Sequence, residues 1–575
     1  MRSIERALRC GALLPAALAL SGCQGKLDAP LAAAHPNDGT PRQGGTLHLA
    51  SFATLGTLDP ALANDMFAAG VVRMLFAGLV DFDPEGRVLP DLAERIDLED
   101  GGRTYRFTLH SNVTFHDGTE LTAADVKRSF ERALDPDTPC PTSSFYEGIV
   151  GFEDFTTKRA PHLAGVAAQG RYVVAIHLRE PDATFLPALA LSAVRVTCPS
   201  AGDKYTPGWT PCGAGPFRLP PGGWEPGASL ALVRHERYFR PGLPHLDGVT
   251  WELSSTLLGE GFKFAHGSLD AIHELSQADT IRYLADARWH PFGAYEPAHE
   301  VHGEAMNVEL PPFDNVEVRR ALAAAIDRDH LVLLKSTALT SADKPVLPMP
   351  GYDPPPGLGQ RYDLPAALEH MKKAGYPFDP ATGQGGWPTP IPYEVFKQSI
   401  FEASGQLLAQ DLARIGLKIE IHVASYPTYL TLTHQRRKVP LSPQGWTQDF
   451  PDPSDFLEPL FSSRSIADES SSNAAFYSNP ALDALLARAR REGDGAERSR
   501  LYGEAERIVC DEAPWAFEYA IRTFHVWQPY VRSYRVHAVW PDDLTPVWLD
   551  RRSDTVARSA PLSRELLGSL QRVGP

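Results

Sequence analysis

Three short segments contain residue types that bind metals or nucleotides in other proteins. His299-Glu300-Val301-His302 combines two histidines with a carboxylate, but the spacing does not suit a helical zinc face, and ordinary surface histidines explain it better. Asp449, Asp452 and Asp455 recur every three residues, whereas calcium loops usually place their ligands two residues apart. Gly213-Ala214-Gly215-Pro216 lacks the third glycine and the helix start of a dinucleotide loop, so it predicts a turn.

The motifs that would support covalent or nucleotide chemistry are absent from the sequence. It contains no G-x-S-x-G nucleophile elbow, no P-loop and no H-E-x-x-H motif. We therefore expect no catalytic residues, no metal site and no cofactor. A secreted hydrolase with an unrecognised active site is the alternative from a different class.

Length and composition describe a globular protein with more than one domain. A chain of 575 residues exceeds one compact core, which predicts two or three domains. Hydrophobic residues at 43% and charged residues at 22% exclude a mostly disordered or fibrous chain. The formal net charge is -16, and binding to a nucleic-acid backbone requires clustered positive charge, so no nucleic-acid partner is expected.

The N-terminus has the pattern of an export signal. Three arginines precede the apolar run Gly11–Leu20, which is too short to span a bilayer as a helix. Leu20-Ser21-Gly22-Cys23 resembles the bacterial lipobox, which predicts a signal peptide at 1–22, lipidation of Cys23 and a flexible linker at 23–43. The alternative is a plain secretory signal that happens to contain a cysteine.

Export places the remaining cysteines in an oxidising compartment. Cys198 and Cys212 flank a loop rich in glycine and proline, so they are candidates for a local disulfide. Cys510 lies in an apolar helical stretch and is expected to be a buried thiol. No spacing resembles C-x-x-C, which argues against structural zinc and thiol-redox chemistry.

Strand and helix patterns alternate along the chain and indicate an α/β or α+β class. Period-two rows of apolar residues predict strands at 105–109, 172–178 and 417–423. Capping patterns predict helices starting at Thr122, Asp314 and Asn479, and a further helix ending at Gly416. Residues 551–575 have the pattern of a weakly helical tail.

Many blocks, in order, make residues 44–550 resemble the family 5 solute-binding proteins of bacterial ABC importers, the oligopeptide- and dipeptide-binding type. The most characteristic stretch is Val113-Thr-Phe-His-Asp-Gly-Thr-Glu-Leu-Thr-Ala-Ala-Asp-Val126. The other blocks that carry the resemblance are Gly45–Leu49, Thr57–Ala61, Leu75–Leu79, Pro90–Glu94, Tyr105–His110, Gly213–Phe217, Arg237–Phe239, Pro312–Arg328 and Gly445–Pro453.

The resemblance implies an α/β fold like that of type II periplasmic binding proteins, with two lobes around a hinge and an extra inserted domain. Matching the blocks places the first lobe at 44–84, 195–305 and 520–550, the inserted domain at 85–194 and the second lobe at 306–519. Members of the family close their lobes over a ligand, and the closed form is the shape that a permease recognises.

The resemblance also implies ligand-binding residues. Asp449, in the segment that starts at Trp446, would take the α-ammonium of a peptide. A capping or turn aspartate before Pro451 is the alternative. The remaining positions match pocket aromatics, the segment that binds the peptide main chain, or other residues facing the cleft, and they are Trp446, Tyr426, Asn64, Asp65, Met66, Asn307, His273 and Glu274.

One departure from the family leaves the ligand open. Some relatives carry an arginine before the tryptophan that takes the C-terminal carboxylate of a peptide, whereas this chain has Ser442-Pro443-Gln444-Gly445. The family also includes binders of nickel chelates, haem, oligosaccharides and opines. We therefore expect a non-catalytic lipoprotein that captures a solute, with a short peptide favoured over these other solutes.

The same resemblance implies the partners and the location. The protein would deliver its solute to permease subunits that work with separate ATPase subunits, and it would act as a monomer. A solute sensor that has lost its permease is the alternative. The lipid anchor would hold the protein to a membrane of the cell envelope, facing the periplasm or the exterior.

Overall fold

The computed structural model describes residues 39–335 and 338–550. The predicted signal peptide at 1–22, the candidate lipidation site Cys23, most of the predicted linker and the tail at 551–575 lie outside these residues. Within the described ranges, no helix is both long enough and apolar enough to cross a membrane.

The first lobe begins with one strand, one helix and a short hairpin. These elements are β1 (Thr46–Ala50), α1 (Met66–Leu75), β2 (Val80–Phe82) and β3 (Val88–Pro90). The side chain of Asp65 accepts a hydrogen bond from the N–H of Ala68 at 2.8 Å, which caps α1 at its N-terminus.

A separate four-stranded antiparallel sheet follows. The elements of this region are β4 (Ala93–Glu99), β5 (Thr104–Leu109), α2 (Ala123–Leu134), α3 (Phe152–Thr156), β6 (Val166–Ala168), β7 (Val173–His177) and α4 (Phe185–Ala190). The sheet order is β4-β5-β7-β6, and helix α2 packs on β6 and β7. This sheet lies within the stretch predicted to be an inserted domain.

The chain then returns to the first lobe. The elements here are β8 (Phe217–Arg218), β9 (Trp224–Glu225), β10 (Ser229–Arg234), β11 (Gly248–Glu252), α5 (Leu257–Ala265), β12 (Ala271–Ile272), α6 (Gln277–Ala285) and β13 (Gly293–Tyr295). Strand β1 lies at one edge and pairs in parallel with β11, in a sheet ordered β1-β11-β10-β8 with β9 pairing β10. Leu47, Leu49, Val249 and Trp251 bury this sheet in one core.

The second lobe contains most of the remaining elements. Its elements are β14 (Glu300–Met306), α7 (Val316–Ala325), α8 (Arg328–Lys335), β15 (Leu339–Ser341), α9 (Leu364–Lys373), β16 (Phe378–Asp379), β17 (Gln384–Gly385), β18 (Ile391–Phe396), α10 (Ser399–Ala413), β19 (Ile419–Ala424), α11 (Tyr426–Thr433), β20 (Leu441–Thr447), α12 (Ser454–Phe461), α13 (Pro480–Arg491), α14 (Gly495–Glu512) and β21 (Trp515–Ile521). Six of these strands form one mixed sheet in the order β15-β21-β14-β20-β18-β19.

The last strands return to the first lobe and are β22 (Phe524–Trp527), β23 (Val531–Arg532) and β24 (Trp548–Leu549). Strand β22 pairs with both β12 and β13. Strand β14 joins the six-stranded sheet at Glu300, and β21 leaves it at Ile521. The chain therefore passes between the three-stranded and the six-stranded sheets at 296–299 and 522–523, and a hinge between the lobes would include these two segments.

Local sequence patterns explain several of these elements, as predicted. The capping box of Thr122 and Asp125 opens α2, and Asn479 caps α13 through the N–H groups of Ala481 and Leu482. Gly416, after α10, adopts φ +79°, a left-handed conformation that suits glycine. The predicted strands at 105–109 and 172–178 form the buried centre of the inserted sheet.

Buried polar contacts join the parts of the chain. Arg132 on α2 forms a bidentate ion pair with Asp59, which lies between β1 and α1, and both side chains are buried. Cys198 and Cys212 are joined by a disulfide, while Cys140 and Cys510 are buried free thiols. The disulfide closes the loop that links the inserted sheet back to β8.

Candidate functional site

The main candidate site begins with an open edge on β20. This strand pairs with β14 along its whole length, from Leu441 to Thr447, but it pairs with β18 only at Leu441. The carbonyl of Pro440 accepts a hydrogen bond from Asn307 on the β14 side, and the carbonyl of Pro443 accepts one from the Tyr429 hydroxyl on the other side.

Peptide groups in a strand alternate between its two sides. Since Pro443 faces the open side, the N–H and C=O groups of Gly445 and Thr447 face it too. Both residues are exposed to solvent. The last third of β20 therefore offers backbone donors and acceptors to an added strand.

Asp449 follows this edge two residues after the end of β20. Its backbone N–H donates to the buried carboxylate of Asp455 at 2.7 Å. Its own carboxylate is half-buried, and no described residue donates a hydrogen bond to it or forms an ion pair with it. Burial raises the pKa of Asp449 to about 6. An uncompensated carboxylate in this setting is ready to bind a cation.

The two other aspartates of the segment have structural roles. Asp452 accepts hydrogen bonds from the backbone and hydroxyl of Ser454 and forms an ion pair with Arg498 at 2.7 Å. Asp455 is buried, and burial, together with the charge of Asp449, raises the pKa of Asp455 well above its usual value. The capping role that was the alternative for Asp449 is therefore carried out by its neighbours.

The segment that carries Asp449 also contacts the first lobe and the inserted sheet. The Gln448 amide donates to the carbonyl of Ala538 at 3.0 Å. Phe450 packs edge-on against Phe145 at 5.7 Å and belongs to the same hydrophobic core as the inserted sheet. Asp449 thus lies where the two lobes meet.

The aromatic residues predicted for the pocket lie near this edge. Trp446 is half-buried against the core beneath β14 and β21. Tyr426 begins α11 and is 54% exposed, and its ring lies 5.1 Å from that of Phe396 at the end of β18. No sequence motif indicated that Phe396 and Tyr429 would lie near this edge. Their position depends on the divergence of β18 from β20, which pair at only one point.

In the first-lobe segment at 64–66, one residue has a local structural role and the other two are at least partly exposed. Asp65 caps α1, so its carboxylate is already used, while Asn64 is exposed and Met66 is half-buried in the first turn. Asn307 does not lie beside Asp449. It is fully buried at the far end of β14, ~23 Å along the strand from Glu300, and its side-chain oxygen accepts from the N–H of Glu309.

His273 and Glu274 belong to a network at the crossing between the lobes. We call this network the hinge cluster, and it consists of His273, Glu274, Glu296, Glu300, His302, His525 and Asp542. His273 lies 3.3 Å from Asp542, and His525 lies 3.1 Å from Glu296. The ring of His302 stacks on Tyr519 and contacts Glu300, and His299 lies 3.5 Å from Glu296. The side chains of His299 and His302 are 15% and 12% exposed, so the expectation of surface histidines is wrong for both.

The pKa values of His273 and Glu274 in the hinge cluster are both raised, but for different reasons. Burial alone would lower the pKa of His273, but the Asp542 carboxylate outweighs it and raises the pKa to about 9. Burial raises the pKa of Glu274, with His273 opposing and Glu260, Glu296 and Glu300 adding to the effect. Sequence spacing could not reveal this network, since its members come from four separate stretches of the chain.

Comparison with known proteins identifies the family. The profile of the bacterial extracellular solute-binding proteins, family 5 (middle region), matches residues 87–468. The glutathione-binding protein GsiB of Escherichia coli K12 is 30% identical over 480 residues, which cover 80% of this chain and 86% of GsiB.

Solved structures agree on the fold. The unliganded, open form of the periplasmic murein tripeptide-binding protein MppA matches with a TM-score of 0.74 at 22% identity, covering 92% of this chain and 99% of MppA. The clavulanic acid biosynthesis oligopeptide-binding protein 2 matches with a TM-score of 0.77 at 24% identity, covering 88% and 96%. The chain has the fold of type II periplasmic binding proteins and belongs to the family 5 extracellular solute-binding proteins of bacterial ABC importers.

Proposed function

We propose that this protein captures short peptides with a free α-amino group between its two lobes, without breaking or making a bond in them. The observation that carries the proposal is the Asp449 carboxylate, half-buried and without a partner among the described residues, beside the open edge of β20. A peptide ammonium would restore to this carboxylate the charge-assisted hydrogen bonds that burial removes.

The open edge supplies the second part of the recognition. Gly445 and Thr447 present backbone groups that an extended peptide can pair with as an added strand. Pairing of this kind depends on the main chain and therefore admits varied side chains. The segment before Trp446 carries no arginine, so the proposal includes no capture of the C-terminal carboxylate there and no fixed peptide length.

Delivery completes the proposed role. Closure of the lobes around the peptide would create the surface that a permease recognises, and separate subunits would hydrolyse ATP. We further propose that acylated Cys23 anchors a monomer to a membrane of the cell envelope through the linker at 23–43. The names of GsiB and MppA, a glutathione-binding and a murein tripeptide-binding protein, support a small peptide as the solute.

Acetylating the amino terminus of a peptide ligand is expected to weaken its binding at least tenfold, on the scale of one lost charge-assisted hydrogen bond. Native mass spectrometry of protein purified without refolding would first identify a co-purified ligand. Calorimetry would then compare the free, N-acetylated and C-amidated forms of the peptide. Equal affinity of the free and acetylated forms, or a co-purified solute without an amino group, would contradict the proposal.

Peptide affinity is expected to fall about tenfold between pH 7.5 and pH 5. The ionised carboxylate is the form that attracts an ammonium, and Asp449 has a pKa of about 6 in the free protein, so binding is strong above pH 6 and is lost as the pH falls through that value. Calorimetry at several pH values in this range measures how the peptide affinity changes with pH. The Asp449→Asn variant provides the control, since its affinity should change less than about twofold over the same range; a wild-type affinity that stays flat would argue against this role.

A further inference from the structure

An exposed apolar strip runs along one side of α5 in the first lobe. Leu258 and Phe262, one helical turn apart, are 73% and 66% exposed. Phe52 is 50% exposed and belongs to the segment beside the N-terminal end of α5, because the N–H of Ser255 donates to the carbonyl of Ser51 at 3.1 Å. We call Phe52, Leu258 and Phe262 the α5 strip. Large apolar side chains that lie together in water indicate a contact surface, and no described residue covers this one.

The other sides of α5 are held by the first lobe. Phe264 is fully buried, and its ring lies 5.6 Å from that of Tyr283 and 5.4 Å from that of Trp289. Lys263 forms an ion pair with Glu252 on β11. These contacts fix the orientation of the helix, so the α5 strip cannot turn inward and must be covered from outside.

The described part of the chain ends close to the same helix. The N–H of Asp550 donates to the carbonyl of Tyr530 at 2.8 Å, and the Tyr530 hydroxyl donates to the carboxylate of Asp270 at 2.5 Å. Asp270 follows α5 after four intervening residues. The Gln528 amide donates to the carbonyl of Phe264, in the last turn of α5, at 2.9 Å. The chain therefore leaves the described residues beside the C-terminal end of α5.

The sequence beyond this point predicts a short amphipathic helix. Four apolar residues recur at the spacing of one helix face, and they are Leu562, Leu566, Leu570 and Val573. Gly568 lies inside this pattern and weakens the helix, and a helix of about 12 residues is marginal in water on its own. Such a segment forms a stable helix only where its apolar face is covered.

Reach, length and charge match this segment to the α5 strip. Residues 551–561 separate Asp550 from the predicted helix and extend up to ~36 Å, more than the ~13 Å length of α5. Leu562 to Val573 would cover ~17 Å of helix, slightly more than α5. Residues 551–575 contain five arginines and two acidic residues, whereas the whole chain has a formal net charge of -16. The charge of the segment therefore attracts it to the rest of the molecule.

We propose that residues 562–573 form a helix that packs on the α5 strip of the same chain. The helix would place its leucines against Phe52, Leu258 and Phe262 and remove both apolar surfaces from water. The occupant of the strip is then the C-terminal segment, and neither a second copy nor a lipid surface. The inference is independent of peptide capture, since no residue of the strip belongs to the candidate site.

Hydrogen–deuterium exchange of the full chain tests the interface from both sides. We expect Phe262→Glu to speed the exchange of the amides at 562–573 about tenfold, because it places a charge in the interface. Leu566→Glu should in turn speed the exchange of the α5 amides at least about threefold. Phe262 is exposed, so its replacement is not expected to disturb folding, and unchanged exchange in the buried strands β1 and β11 would verify this.

Two matched controls place the same charge elsewhere. Leu98→Glu changes a leucine of the inserted sheet that is 59% exposed, and Gln571→Glu lies on the polar side of the predicted helix. Neither should alter the exchange of α5 or of 562–573.

The other possible occupants of the strip give different results. Fast exchange at 562–573 in the wild-type protein, or slow exchange there that survives Phe262→Glu, would overturn the inference. Slow exchange that is lost on dilution would assign the strip to a second copy. Slow exchange of α5 only in the presence of phosphatidylglycerol vesicles would assign it to a lipid surface, and each of these results also overturns the inference.

Discussion

Replacing Asp449 with asparagine is expected to weaken peptide binding by about 1.5–3 kcal/mol, which is roughly ten- to 150-fold. Asparagine keeps the size of the side chain and removes only its charge. The peptide ammonium would then be desolvated without a counter-charge in a setting where burial already raises the pKa of Asp449 to about 6. Folding should change little or improve, because the carboxylate has no partner among the described residues.

Calorimetry with one peptide, in its free and N-acetylated forms, isolates this effect. In the wild-type protein acetylation should weaken binding, and in Asp449→Asn it should have little further effect, since the two changes remove the same interaction. Asp468→Asn serves as the control, because Asp468 is an exposed aspartate of the second lobe whose ion-pair partner is Arg436. Unchanged affinity in Asp449→Asn would refute ammonium binding at this carboxylate.

Replacing Arg132 with methionine is expected to lower the free energy of unfolding by about 3–5 kcal/mol. Arg132 is 1% exposed, and both of its terminal nitrogens contact the buried carboxylate of Asp59. Methionine fills part of the space but leaves Asp59 as a buried charge without its counter-ion. Because this pair joins α2 of the inserted region to the first lobe, the loss should weaken the attachment between them.

Urea unfolding followed by circular dichroism measures this change. Arg95→Met is the control, since Arg95 forms an exposed pair with Asp97 and should contribute less than about 1 kcal/mol. Adding Asp59→Leu to Arg132→Met should recover part of the loss, because it removes the unpaired charge. A stability that matches the Arg95→Met control would contradict this account of the pair.

Local elements could be predicted from the sequence because their causes are local. The capping box of Thr122 and Asp125, the cap at Asn479 and the glycine at 416 each act within one turn of a helix. The alternation of apolar and polar residues at 105–109 and 172–178 likewise reflects burial of one face of each strand. The resemblance to family 5 supplied the two-lobed fold, which no local pattern could specify.

The site could be predicted only in part, because its geometry depends on pairing between distant strands. Trp446 and Asp449 belong to one motif, and the structure keeps them together beside the open edge. The cleft-facing role of Asn307 stays a prediction; β14 extends seven residues, from Glu300 to Met306, and places Asn307 at the end of the strand far from Asp449. The hinge cluster joins residues that are far apart in sequence, so no spacing could indicate it. The predicted domain boundaries remain a prediction.

The turn that carries Asp449 is held from both sides. It continues β20 of the second lobe, yet Gln448 and Phe450 are tied to Ala538 and Phe145 in the other half of the molecule. A rotation that separates the lobes would therefore displace the same turn that we propose binds the amino terminus of a peptide. Ligand binding and lobe closure would then be coupled through this turn. A solute that does not contact the turn would not favour closure of the lobes.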